Sequence, residues 1–183
     1  MQNYHPVFVA LHWLLAFMII LALLMGGNVM AKLPNDVPEK LDHLRTHMSI
    51  GGVILILMLI RLAFRLLAKH PAPIQTGNRL SAKLGPLVHL LFYVAVIGMA
   101  ASGIATSLLT GLPEIVFFGS GNPLPETFDN LLPRKVHGLF ANLLWTLIGL
   151  HLLGFIYHQF MVKDNLLSRM TFRRKGKDID PIV

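Results

Sequence analysis

Histidine is the residue in this chain best able to do chemistry, and two of the nine histidines set the pattern. His137 and His151 lie inside an apolar run, Lys135 to Val162, that is long enough to cross a bilayer. Fourteen residues at about 1.5 Å each put the two imidazoles roughly 21 Å apart along a helix axis. Fourteen steps are also close to four turns, so both rings leave the helix on nearly the same side. Imidazole is a metal ligand and a proton carrier, and a histidine inside a spanning segment is costly and usually functional. One helix thus offers two ligands on one face, one near each membrane surface.

The rest of the chain reads as the scaffold for partners at those two depths. Apolar spans are expected at about residues 7–31, 47–67, 86–109 and 136–162, followed by a basic tail, 163–183. This is an all-α reading: a four-helix transmembrane bundle forming one integral membrane domain. The first span resembles a signal peptide only superficially. It is too long, no Lys or Arg precedes Lys32, and no clear cleavage pattern follows, so it is expected to be a retained helix. Gly98, Ala100, Ala101, Ser102, Gly103 and Ala105 give the third span a small-residue surface suited to close helix packing.

Composition agrees with a membrane domain. Hydrophobic residues make up 54% of the chain and charged residues only 14%, with a mean hydropathy of +0.62. Cysteine is absent, which excludes disulfides, iron–sulfur clusters and thioether-linked haem, so any haem here is of the b type. The net charge of +7 and pI near 10.1 first suggest nucleic acid. Position argues otherwise. Arg61, Arg65, Lys69, Arg79, Lys83, Lys163, Arg169, Arg173, Arg174, Lys175 and Lys177 all fall on the side of the termini, against Lys32, Lys40, Arg45, Arg134 and Lys135 opposite. The positive-inside rule therefore puts both termini in the cytoplasm, and the basic excess serves topology and anionic lipid rather than nucleic acid.

With that orientation, His47 and His137 form an outer pair and His12 and His151 an inner pair. Each pair can fill both axial positions of one haem iron, which gives two b haems stacked across the membrane. A single intramembrane histidine often does no more than hydrogen-bond a neighbouring helix; four at two matched depths argue for ligation. His89 enters the inner side and competes with His12 for the iron, and spacing alone leaves that choice open. His43 and His47, four apart, could pair on zinc, but zinc wants three or four ligands and none lies nearby in sequence. Gly51, one turn deeper than His47, leaves room for a flat macrocycle. His158 lies about two turns beyond His151, near the inner surface, where a propionate or quinone contact suits it better than ligation. His5 and His70 are assigned no role.

These residues resemble the prokaryotic cytochrome b561 family. The resemblance is carried by Leu11-His12-Trp13, Thr46-His47 before Gly51, Leu59-Ile60-Arg61-Leu62, and His89 within Leu87-Val88-His89-Leu90-Leu91-Phe92-Tyr93. Lys135-Val136-His137, Gly149-Leu150-His151, His158, Lys163-Asp164-Asn165 and Arg169-Met170 complete it, and it covers nearly the whole chain. It implies two b haems ligated by His12, His47, His137 and His151, and so decides against His89 as a ligand. It further implies electron exchange with ubiquinone in a bacterial inner membrane. His89, His158, Lys163 and Asp164 are then candidates for quinone contact or proton transfer, with surface charge and topology as the plainer role of the last two.

A family member oxidises superoxide at the outer haem and reduces ubiquinone, which makes a superoxide:quinone oxidoreductase the leading expectation. Arg45, Arg134 and Lys135 lie close to the outer histidines and would steer a small anion; the plainer reading is that they snorkel to lipid phosphates or pair with propionates. The 110–134 connection, with Phe117 and Phe118, is expected to fold over the bilayer surface as a lid or to dock a partner. The alternative function is accordingly a haem-containing anchor passing electrons between quinone and a periplasmic redox protein. A haem-free transporter would need polar residues near the midplane, of which the spans hold almost none.

Overall fold

A computed structural model describes residues 6–67 and 79–171. His5, His70, Lys69, Arg173, Arg174, Lys175 and Lys177 lie outside the described residues. Within them the chain is helical: α1 (Pro6–Leu24) ends in a π-helical turn (Met25–Met30), followed by α2 (Glu39–Leu67), α3 (Arg79–Leu109), the short α4 (Leu112–Val116), α5 (Leu132–Ile156) with a second π-helical turn (Tyr157–Val162), and α6 (Leu166–Arg169). Four stretches are long and apolar enough to cross a membrane: Pro6–Met30, Glu39–Leu67, Lys83–Leu109 and Leu132–Val162. The chain is a four-helix transmembrane bundle and a multi-pass membrane protein.

The helices outrun the apolar stretches. Helix α2 begins at Glu39 rather than near His47, because Pro38 precedes it and Glu39 and Asp42 suit the positive end of the helix dipole. Helix α3 passes through Pro86 instead of starting there. A proline removes one backbone bond, a loss that spanning helices tolerate when neighbours re-satisfy the freed group.

Packing is uneven around the bundle. Helix α5 packs along α3, α1 along α2, and α2 along α3; no comparably close packing joins α5 to α1 or α2 among the described residues. The α3–α5 approach depends on Gly98, where an added Cβ would overlap Phe140 Cζ. Leu15, Leu23, Ile54, Met58, Tyr93, Ala95, Val96, Leu144 and Leu147 form the central core. Large apolar side chains such as Phe17, Ile56, Leu108 and Leu153 are exposed, as a lipid-facing surface requires.

The bundle end carrying His47 and His137 is closed by the 110–134 connection. There, Leu112 and Val116 of α4 pack with Leu44, and Met30, Leu41, Met48, Leu124 and Phe128 surround them. Two cations fasten this cap. Buried Lys40 donates to Met30 O at 2.6 Å and Leu33 O at 2.8 Å, satisfying carbonyls left over where the first π turn ends. Arg45 donates to Val116 O from Nε at 3.0 Å and Nη2 at 2.8 Å, and pairs with Asp42 at 3.0 Å.

Candidate functional site

The expected histidine pairs face one another across the side where α5 stands apart. Ring centres of His47 and His137 are 6.1 Å apart, and those of His12 and His151 are 6.2 Å apart. One metal bound by two imidazoles at about 2 Å from each nitrogen needs ring centres about 6 Å apart. Both spacings fit.

The fourteen-residue step found on α5 recurs on every spanning helix. His47 and Arg61 are fourteen apart on α2, His12 on α1 and Gly26 in the π turn that ends it are fourteen apart, and so are His89 and Gly103 on α3. The bundle therefore has two side-chain layers: His47, His137, Gly26 and Gly103 in one, and His12, His89, His151 and Arg61 in the other. The contacts agree. An added Cβ on Gly103 would sit 3.2 Å from His137 Cε1, and one on Gly26 3.6 Å from His47 Cε1. The two glycines leave the first layer to its imidazoles, and a Cβ on Gly51 or Gly52 would meet nothing within 4 Å.

In this first layer, Nδ1–H of His137 donates to Met99 O at 2.9 Å, which fixes the tautomer and leaves the Nε2 lone pair for a metal. The Ser102 hydroxyl donates to the same carbonyl at 2.8 Å. His47 Nδ1 is buried with no hydrogen-bond partner among the described residues, a nitrogen they leave unsatisfied in an apolar interior.

The second layer is more crowded. His151 faces His12 and also His89, whose ring centre is 5.6 Å away, and the Phe92 ring stands edge-on to His151 at 5.7 Å. Geometry thus keeps His89 beside the site, and both α1 and α3 offer His151 a partner. Arg61 Nη2 lies 3.4 Å from His12 Nδ1, with Nη1 3.4 Å from Phe8 O and the guanidinium over the Phe8 ring at 4.5 Å. The sequence reading gives Arg61 to topology and the family resemblance and Ser102 to helix packing, with no site role for either, yet the signal for Arg61 is present in its spacing from His47.

Beyond this layer, His158 Nδ1 is 2.8 Å from Asp164 Oδ2. Lys163 and Asn165 adopt left-handed backbone, φ 59° and 52°, and reverse the chain so that Asp164 returns to His158. Lys163 itself is exposed. Trp13 Nε1 donates to Met170 O at 2.9 Å and ties this segment to α1. At the far end, Lys135 is exposed and Arg134 half-buried, whereas Arg45 is committed to Val116 and Asp42 and so belongs chiefly to the cap.

Two layers of facing histidines in a transmembrane four-helix bundle form an arrangement that could hold haem. Residues 3–173 match the model of the prokaryotic cytochrome b561 family, and the chain belongs to that family. It is 28% identical over 178 residues, 96% of this chain and 99% of the relative, to a probable superoxide oxidase, CybB, of Yersinia pestis. It is similar at 26% identity over 132 residues, 71% of this chain and 75% of the other, to cytochrome b561 homolog 1 of Escherichia coli. A cytochrome b562 of Cereibacter sphaeroides is 26% identical over 168 residues, 88% of this chain and 90% of its own length. Family membership implies haem b and membrane electron transfer.

Proposed function

We propose that this chain carries electrons through two b haems, one held by His47 and His137 and the other by His12 and His151, from superoxide on the outer side to ubiquinone at the inner side. The observation that carries the reading is the pair of histidine layers at matched ring separations of 6.1 and 6.2 Å. Bis-histidine iron has no open position, so a bound haem supplies one-electron relay rather than activation of a ligand. The superoxide assignment is supported by the similarity to the probable superoxide oxidase of Yersinia pestis. Two superoxide anions each lose one electron to become dioxygen, and those two electrons with two protons convert one quinone to quinol. His158, oriented by Asp164, is the proton-handling group, with His89 and Lys163 in support.

The basic residues around the termini favour a bacterial inner membrane orientation with both termini in the cytoplasm. A second reading, an anchor passing electrons between quinone and a periplasmic protein, is favoured by Phe118, 81% exposed on the capped end. One experiment tests the first reading. The purified protein is expected to show a reduced b-type spectrum with two haems per chain and to reduce added ubiquinone in a superoxide-dependent manner. A spectrum without haem defeats it, and two haems that superoxide reduces no faster than those of an unrelated bis-histidine cytochrome leave only the anchor.

A further inference from the structure

The two layers differ in what stands against the ring nitrogen that faces away from the iron position. His137 has an acceptor: its Nδ1–H donates to Met99 O at 2.9 Å. A carbonyl at that position draws the proton toward itself and makes the opposite nitrogen a more basic ligand, and a more basic ligand favours ferric over ferrous iron. Ser102 moderates this: its hydroxyl donates to the same carbonyl at 2.8 Å and competes for its electron density, while its oxygen stands only at 3.4 Å from His137 Nδ1, much farther than the carbonyl.

His12 faces the reverse. Arginine has five donors and no acceptor, so when His12 binds metal through Nε2 and keeps its proton on Nδ1, Arg61 offers it charge and no hydrogen-bond acceptor. Arg61 is 7% exposed, and its guanidinium is steadied by Phe8 O and the Phe8 ring. A buried cation is screened little and disfavours the more positive, oxidised state of its neighbour. The cation on the first layer's side is Arg134, three residues before His137 on α5. That residue is half-exposed near the bundle end, where water and salt weaken it.

We infer, resting on the haem-ligand reading above, that Arg61 and the Met99 carbonyl order the two haem potentials, low at His47–His137 and high at His12–His151. An electron entering at the first layer then runs downhill to the second, and inward flow is built into the bundle. Arg61 and Ser102 act through His12 and His137 and are positioning residues.

The test is a redox titration of the purified holoprotein, followed by visible spectra and by the low-spin ferric resonances of the two haems. Loss of signals in His47→Ala and His12→Ala assigns them to their layers. The His12–His151 midpoint is expected above the other. Arg61→Met is expected to lower it by a factor of ten in the reduction equilibrium, about 59 mV for one electron, while moving the other midpoint much less. Arg61→Lys, which keeps the charge, is expected to retain most of the difference. Ser102→Ala frees the carbonyl for His137 and is expected to lower only the His47–His137 midpoint and shift only its resonance. Should Arg61→Met lose haem, Arg61→Lys and Ser102→Ala still decide. Reversed wild-type order, or equal movement of both midpoints in any variant, overturns the inference. Retention of both haems by His12→Ala sinks instead the ligand reading beneath it.

Discussion

His158 Nδ1 stands 2.8 Å from Asp164 Oδ2, although no regular α-helix brings residues six apart together. The π turn and the left-handed Lys163 make the contact, and both side chains are sheltered, at 19% and 10% exposure. The carboxylate accepts from Nδ1–H and so fixes the ring's orientation and tautomer, with the Nε2 lone pair facing away. We predict that Asp164→Asn or His158→Asn slows quinone reduction about 100-fold, the low end of what a positioned acid–base group contributes. The double variant should be no worse than either single one, because the two act as a unit. Haem spectra should not change. Steady-state quinol formation is the measurement, and a rate within twofold of wild type in Asp164→Asn removes the pair from proton delivery.

The ligand set makes a second prediction through haem stoichiometry. His47→Ala and His137→Ala should each lose the same haem, His12→Ala and His151→Ala the other, so that pyridine haemochrome falls from two to one per chain. His89→Ala should keep both. Because His89 stands 5.6 Å from His151, the opposite outcome for His12 and His89 would place the second iron between α3 and α5.

How much was legible follows from what kind of signal each feature leaves. The four spans were readable because a bilayer demands about 20 apolar residues, and the pairing of His47 with His137 because depth is nearly linear in residue number. Helix ends were not, since α2 extends to Glu39 through a polar stretch that hydropathy cannot distinguish from a loop. Arg61 reads as topology and as part of the Leu59-Ile60-Arg61-Leu62 resemblance, and its fourteen-residue spacing from His47 puts it on the histidine face. The Met99 carbonyl leaves no trace in side-chain chemistry, because any residue at that position would carry the same backbone acceptor. The His158–Asp164 contact needed a π turn and a positive φ at Lys163, neither of which a period of 3.6 anticipates.

Gly98 gives a prediction about stability. An added Cβ would overlap Phe140 Cζ and fall 2.6 Å from Cε2, so Gly98→Ala must displace the ring from the α3–α5 interface. Overpacking of this kind typically costs about 1–3 kcal/mol. The variant should lose its haem absorbance at a lower temperature in detergent, and Gly98→Ala with Phe140→Leu should regain part of the loss. An unchanged melting temperature in the single variant means the ring finds another site without strain.

The last prediction separates anion steering from the architecture of the cap. Arg45, Arg134 and Lys135 all lie near the His47–His137 layer, but they do not do the same thing. Arg45 holds α4 through two N–H donors to Val116 O and is partly neutralised by Asp42. Removing it frees the cap, and that defect does not depend on ionic strength. Lys135 is exposed and Arg134 half-buried, so these two set the local field that a small anion meets. Such fields raise encounter rates by about 10-fold to 1000-fold at low salt, and the advantage fades once the Debye length shrinks below about 10 Å. We therefore predict that Arg134→Ala with Lys135→Ala slows haem reduction by superoxide at least 10-fold at low ionic strength, approaching wild type in high salt. Arg45→Ala should show a deficit of similar size at every salt concentration, accompanied by faster proteolysis of the 110–134 connection. Stopped-flow reduction at several salt concentrations makes the distinction. If the double variant loses no more at low salt than at high, the cations serve lipid or propionate contacts and steering plays no part at this end of the bundle.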